Sequence, residues 1–184
     1  ATFPRPLVQD LLTQETVNLI VPDAYSDADL STAASVAAML GLRQDDQLDL
    51  QLIPASEATP ERLGETNAVA IGTPTNNAFI ADLYANELLP TALDAGGAIL
   101  SDEKAIFAND GVLQLAQVSA EAENVVLVVT GTTDEGVARG AQALSVPQTD
   151  PHFGFEGNLA VIEAVNERLM RKRPILPKQP MFIP

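Results

Sequence analysis

Hydroxyl, amide and carboxyl side chains cluster in three short segments, each directly after a predicted buried strand. The carboxyl ends of parallel strands meet at one edge of a sheet, and open α/β sheets bind ligands there. The sequence therefore predicts a candidate site in these strand-end loops. Its members are Asp23, Tyr25 and Ser26 in the first loop, Thr73, Thr75 and Asn76 in the second, and Thr132 and Thr133 in the third.

The third segment also has the pattern of a phosphate-binding corner. Gly131 precedes a predicted helix whose Thr132 and Glu135 are typical of a capping box, and free N–H groups at such a helix start bind anions. Every strand-to-helix corner needs a similar turn and cap, so the pattern favours a structural role. A flavin is not favoured either, because Asp23 and Asp27 would repel its phosphate after the first strand. We therefore predict no cofactor.

The chain has few residues of the types that other catalytic sites and metal sites need. Cysteine is absent, and His152 is the sole histidine, so neither a transition-metal site nor a Ser-His-acid triad is indicated. We predict no catalytic residue and no metal ligand. The acidic clusters could hold calcium in an exported protein, but they lack the EF-hand spacing, so the question of calcium stays open. These clusters are Asp23, Asp27 and Asp29, and Asp45, Asp46 and Asp49.

The elements that must position these loops alternate between strand and helix patterns. Buried strands are predicted at 17–21, 68–71, 125–130 and 159–162, and the alternation of leucines at 48–52 predicts an edge strand. Ser26 with Asp29 forms a second capping box, and Thr59 with Pro60 begins a short helix. The helix that starts near residue 78 has an apolar stripe formed by Phe79, Ile80, Leu83 and Leu88.

Residues 97–118 are less regular. Their short apolar runs surround Asn109, Asp110 and Gly111, a pattern typical of a hairpin turn. Together with the alternating elements, this predicts an α/β fold with three layers and a doubly wound, mainly parallel sheet of flavodoxin-like order. A short antiparallel hairpin would extend it.

Composition indicates one domain with extensions at both ends. With 184 residues and 46% apolar content, the chain can form one core, predicted at 17–165 after a lead-in segment at 1–16. The net charge of −15 argues against nucleic acid as a partner. Residues 166–184 form a basic, proline-rich tail, interpreted as a linker or a segment close to a membrane. Since the chain begins with Ala1, we expect an excised or processed part of a longer protein.

Four segments together resemble one protein family. They are VPDAYSDADLSTAASVAAMLG, NAVAIGTPTNNAFIADL, DGVLQLAQVSAEAENVVLVVTGTTDEGVARGAQAL and GNLAVIEAV. This set, over residues 17–165, resembles the regulatory B subunit family of bacterial cellulose synthase, and GVLQ followed by VLVVTGTTDEGV is its most specific part. Family members usually carry a Ser-Pro-Trp-Asn-like stretch after GVLQ, where this chain has QVSAEAEN.

The resemblance implies a flavodoxin-like, noncatalytic module of an extracytoplasmic subunit that is anchored in the membrane through segments outside this chain. It implies a role in assembly and polymer export in the bacterial envelope. Its partners would be the catalytic cellulose synthase subunit, neighbouring carbohydrate-binding modules and, as a further candidate, glucan. The few aromatic residues, two Tyr, six Phe and no Trp, argue against direct sugar stacking. The alternative is a stand-alone flavodoxin-like enzyme, or a nucleotide or phosphate binder, that uses the strand-end loops.

Overall fold

The computed structural model describes residues 15–41, 48–119, 122–145 and 158–164. Within these ranges the chain forms a six-stranded sheet, a three-stranded sheet and helices on both faces of the larger sheet. In chain order the elements are β1 (Glu15–Val21), α1 (Asp27–Gly41), β2 (Leu48–Pro54), α2 (Pro60–Leu63), β3 (Asn67–Ile71), α3 (Ala78–Ala85), β4 (Ala92–Leu93), β5 (Ile99–Ser101), β6 (Lys104–Ala105), β7 (Gly111–Gln117), β8 (Val125–Gly131), α4 (Asp134–Ser145) and β9 (Leu159–Ile162).

The large sheet has the strand order β2-β1-β3-β8-β7-β9. Strands β2, β1, β3 and β8 are parallel to one another, whereas β7 runs antiparallel to both β8 and β9. The connection from Gln117 to Val125 is too short for a parallel crossover, which needs a dozen or more residues, so β7 and β8 must be antiparallel. The predicted α/β class with a mainly parallel sheet is confirmed. The stricter flavodoxin-like order is not confirmed, because the antiparallel β7 lies between β8 and β9.

Two hydrophobic cores, one on each face of the large sheet, define three layers. Side chains alternate along β8, so that Leu127 and Val129 face one core while Val126 and Val128 face the other. Helices α1 and α4 cover the first face. Helices α2 and α3, together with Ile99 of β5, cover the second. Because β8 is covered on both sides, its uninterrupted apolar run needs no polar alternation.

The antiparallel extension is present, but its turn lies elsewhere than predicted. Strands β5 and β6 form a hairpin in which Ser101 pairs with Lys104. Its turn residues Asp102 and Glu103 have φ of 51° and 64°, values that a two-residue hairpin turn of type I′ requires. The prediction of a hairpin turn at 109–111 is wrong, since this segment connects β6 to β7, which pairs with β8 and β9 instead.

A buried polar network joins the small sheet to the large one. Gln114 of β7 is fully buried, and its Oε1 accepts hydrogen bonds from Thr91 N at 3.1 Å and Thr91 Oγ1 at 2.7 Å. Its Nε2 donates to the Tyr84 hydroxyl at 2.9 Å. Burial raises the pKa of the Tyr84 hydroxyl. The network thus satisfies three polar side chains between α3, the start of the small sheet and β7.

Several local predictions are confirmed. Ser26 and Asp29 form a reciprocal cap, with Ser26 N donating to Asp29 Oδ2 at 2.8 Å and Asp29 N donating to Ser26 Oγ at 3.2 Å. Thr59 caps α2, whose first residue is Pro60. Strand β2 is an edge strand of the large sheet.

Other predictions lie outside the described residues. They concern the lead-in segment up to residue 14, Asp45, Asp46, His152 and the basic tail at 166–184. The division into a lead-in, a core domain and a tail therefore stays a prediction. In the part of the chain that the structure describes, no helix combines the length and the apolar character needed to cross a membrane.

Candidate functional site

The three predicted strand-end loops lie side by side at the carboxyl edge of the parallel strands. Strands β1, β3 and β8 are neighbours in the sheet, and Gly72 links their ends. Its N–H donates to the carbonyl of Val129 at 3.2 Å, and a Cβ at Gly72 would lie 3.2 Å from Pro22 Cγ. The structure thus brings the loops together, while their use as a ligand site stays a prediction.

The first loop is fastened to the chain that follows β2. Asp23 Oδ1 accepts hydrogen bonds from Ser56 Oγ at 2.6 Å and Ser56 N at 3.1 Å. These two bonds favour the charged form and hold the pKa of the Asp23 carboxyl below its ordinary value. Ser26 is engaged in the cap with Asp29. Tyr25 is 53% exposed.

The second loop satisfies its polar groups internally. Thr73 N donates to Asn76 Oδ1 at 2.8 Å, Asn76 N donates to Thr73 Oγ1 at 3.2 Å, and the hydroxyls of Thr73 and Thr75 lie 2.9 Å apart. Asn77 is fully buried beneath this loop, where its Nδ2 donates to the carbonyl of Ile71 at 2.9 Å. The loop is therefore a closed hydrogen-bonded turn.

The cap of α4 lies one residue later than predicted. Gly136 N donates to Thr133 Oγ1 at 3.3 Å, so Thr133 caps the helix. The predicted Thr132 and Glu135 capping box is wrong, because Glu135 then occupies the second helical position and cannot return to the cap. Its carboxylate instead pairs with Arg139 at 3.2 Å. Among the described side chains, the hydroxyls of Thr130 and Thr132 are buried without a hydrogen-bond partner.

The chain itself covers the predicted phosphate-binding corner. Thr133 Oγ1 donates to the carbonyl of Ala108 at 2.9 Å, and Asn109 Nδ2 donates to Glu135 Oε2 at 2.9 Å. A Cβ at Gly136 would lie 2.5 Å from the carbonyl oxygen of Asp110. Segment 108–110 therefore packs on the first turn of α4, where the acidic Asp134 and Glu135 also disfavour an anion.

The acidic residues of the first loop do not converge. Asp23 binds Ser56, and Asp29 caps the start of its own helix. Over the described ranges, no group of three or more His, Cys, Asp or Glu side chains could hold a metal ion. Hydrogen bonding thus accounts for two of the three carboxylates without a cation.

A comparison with known protein families shows to which family this chain belongs. A family model described as cellulose synthase BcsB, first FD domain, matches residues 1–155. The chain belongs to the BcsB family. The resemblance found in the sequence is therefore confirmed, and this domain is a module of a cellulose synthase regulatory subunit. No curated protein matches the chain.

The BcsB domain also has a groove that sequence reasoning missed. This cavity of about 330 Å³ lies between the β5–β6 hairpin and strand β9, and we name it the β9 groove. At one wall, the Phe107 side chain is 70% exposed. The rest of the lining comes from the hairpin, the segment after it, and β9 with the residue that follows it: Ser101, Asp102, Lys104, Ala105, Ile106, Asp110, Leu159, Val161 and Glu163.

Asp110 fixes the shape of this groove. It is 2% exposed, and its Oδ2 accepts from Phe107 N at 3.2 Å while its N donates back to the carbonyl of Phe107 at 3.0 Å. Its Oδ1 accepts from Ala164 N at 2.8 Å, which holds the end of β9. The available sequence signal for this groove was an aromatic residue, Phe107, three positions before Asp110 in a turn-rich stretch.

A second cavity of about 370 Å³ lies between α3 and the end of β7. Phe79, Leu83, Leu88 and Val118 give it a mainly apolar lining, with Asp82 and Asn86 at the helix side. These apolar residues belong to, or pack against, the core of this face. The cavity is therefore a shallow depression in the packed surface of this face, and its lining does not bring reactive groups together.

Proposed function

We propose that this domain is a noncatalytic module of an extracytoplasmic, membrane-anchored regulatory subunit of a bacterial cellulose synthase, and that it supports assembly of the complex and export of the polymer. Membership of the BcsB family supports the cellulose synthase role. The catalytic subunit and neighbouring carbohydrate-binding modules are the proposed partners. The membrane anchor would come from flanking segments.

The hydrogen-bonded closure of the strand-end loops carries the noncatalytic part of this proposal. An enzyme of this fold class would need reactive groups at that edge. Here Asp23 is held by Ser56, Thr73 by Asn76, and Thr133 by Ala108. Freeing any of these groups for a substrate would break existing hydrogen bonds. The alternative of a stand-alone enzyme or phosphate binder gains no support from this arrangement.

The charge of the domain also favours this role over nucleotide or nucleic-acid binding. The chain carries 25 acidic and 10 basic residues, and 24 of the acidic ones lie before the basic tail. Such a surface repels polyanions but not a neutral polysaccharide. The domain would therefore act through surfaces that contact neutral polymer and other protein modules.

The experiment compares the parent subunit with a version from which residues 17–165 are deleted. Both are coexpressed with the catalytic subunit, and co-purification and cellulose synthesis are measured. We expect the deletion to reduce complex yield or polymer output severalfold. Full assembly and full output without the module would contradict the proposal. Native mass spectrometry of the 184-residue chain supplies a second arm, since a tightly bound cofactor would favour the alternative.

A further inference from the structure

We propose that the β9 groove binds a short stretch of β-linked glucan, with Phe107 as the stacking platform. This inference rests on the proposed function, because the cellulose synthase family supplies the polymer. It adds a binding site to a module whose sequence, poor in aromatic residues, argued against sugar stacking. The site is the cavity of about 330 Å³ between the β5–β6 hairpin and β9.

The exposed ring of Phe107 is the first argument. At 70% exposure it is more accessible than the other exposed large apolar side chains described, namely Tyr25, Leu30 and Leu52. Two hydrogen bonds between its backbone and Asp110 hold this residue in a fixed turn. A solvent-facing aromatic ring on a backbone held in this way can contact the apolar face of a pyranose.

The lining of the groove provides the polar half of sugar recognition. The carboxylates of Asp102 and Glu163 can accept hydrogen bonds from hydroxyl groups, and Lys104 can donate to them. Hydrogen bonds to charged groups are stronger than those between neutral ones. Aliphatic Leu159 and Val161 from β9 complete an apolar floor, so the groove combines one flat ring, an apolar surface and charged hydrogen-bonding groups.

The charge of the groove selects for a neutral ligand. Among the described residues, Asp102, Asp110 and Glu163 line it against one cation, Lys104. This excess of carboxylates disfavours anionic glycans, phosphates and nucleic acids. A basic peptide would gain mainly solvent-exposed ion pairs, each worth about 0 to 1 kcal/mol. Neutral glucan, by contrast, uses both the ring and the hydrogen-bonding groups.

The hairpin turn contributes to the lining of the groove. Asp102 and Glu103 adopt positive φ angles that favour Asn and Gly in such turns. Here the turn places Asp102 in the lining of the groove.

The test is an NMR titration of the 184-residue chain with cellohexaose, and with maltohexaose as the α-linked control. We expect saturable shifts of backbone amides around Ser101, Lys104, Phe107 and Val161 with cellohexaose, and weaker ones with maltohexaose. Phe107→Ala should weaken binding by about tenfold. Leu52→Ala is the matched control, because it removes a 51% exposed apolar side chain from the opposite edge of the sheet and should leave binding unchanged.

Two outcomes would overturn the inference. One is the absence of saturable shifts in the groove, or equal binding by wild type and a folded Phe107→Ala variant. The other is preferential binding of a synthetic peptide of residues 167–184 that weakens steeply with salt, which would make the groove a basic-peptide site. Either result leaves the deletion experiment on the parent subunit untouched, so failure of this inference and failure of the proposed function are distinguishable.

Discussion

The carboxyl edge of the parallel strands and the β9 groove differ in where their polar groups direct their hydrogen bonds. At the carboxyl edge, Asp23, Thr73 and Thr133 bond to other parts of the chain. In the β9 groove, Asp110 also bonds to the chain, but its partner is the backbone of Phe107, whose side chain is exposed. The comparison shows that the edge where an α/β fold usually binds ligands can be closed by its own loops. The binding site that we propose lies instead at the side of the sheet.

The largest effect is expected where backbone contacts close the carboxyl edge. A Cβ at Gly111 would lie 2.5 Å from the amide nitrogen of Gly140 and 2.8 Å from the carbonyl oxygen of Gly136. Because backbone cannot move aside cheaply, we expect Gly111→Ala to lower the free energy of unfolding by about 3 kcal/mol in urea denaturation. Gly41→Ala is the control, since a Cβ there would meet no described atom from beyond its own helix within 4 Å and the cost should be small. Equal stability of the two variants would show that this edge is loosely packed.

An effect of similar size is expected at the second loop. Asn77→Ala removes the cap of α3 at Ile80 N and leaves the buried carbonyl of Ile71 without its side-chain donor. Loss of a cap costs about 1 kcal/mol and an unsatisfied buried group about 1 to 3 kcal/mol. Thermal and chemical unfolding measure the sum. The exposed Asn86→Ala should cost less than about 0.5 kcal/mol, and a similar loss in both variants would argue against a tightly closed loop.

The groove side is tested by Tyr84→Phe. This change removes the hydroxyl that accepts from Gln114 Nε2 and contacts Thr91 Oγ1. We expect a loss of about 1 to 2 kcal/mol, together with faster amide hydrogen exchange in the β5–β6 hairpin. Tyr25→Phe, at a 53% exposed position, should change neither quantity. Unchanged exchange in the hairpin would mean that the network does not stabilise the groove wall.

The smallest effect concerns pH and Asp23. Because hydrogen bonds from Ser56 lower its pKa in the folded state, ionised Asp23 contributes stability above the ordinary pKa of 3.8. That contribution is lost as pH falls through the lower folded pKa. Wild type should therefore exceed Asp23→Asn in stability at pH 7, and the difference should shrink as the pH falls below 3.8. In a cycle with Ser56→Ala the two losses should be non-additive; simple additivity would contradict the assigned bond.

Local patterns predicted much of the fold. The apolar run 125–130 identified β8 at the centre of the sheet, and the spacing of Ser26 and Asp29 identified a real cap. The place of β7 between β8 and β9 was not predictable in the same way, because local patterns do not show which strands pair. The cap register was missed because Thr132 with Glu135 fits the capping-box spacing, whereas Thr133, which caps α4, has Gly136 three positions later.

The candidate site was harder to predict than the fold. Sequence placed the three loops at one edge, but it could not show that Asp23 finds its partner 33 residues away at Ser56. The same difficulty applies to Phe107, which resembles a core residue within its short apolar run. Its exposure depends on the turn that Asp110 fixes, a tertiary detail without a periodic pattern.

The most direct test of the closed carboxyl edge is the cellulose synthesis rate of the complete complex. The parent subunit would carry Tyr25→Ala with Thr75→Ala, two exposed positions of the strand-end loops. A synthesis rate equal to that of wild type, with the domain folded, is the predicted result. A severalfold lower rate with intact folding and assembly would contradict the account, because it would place function in these loops.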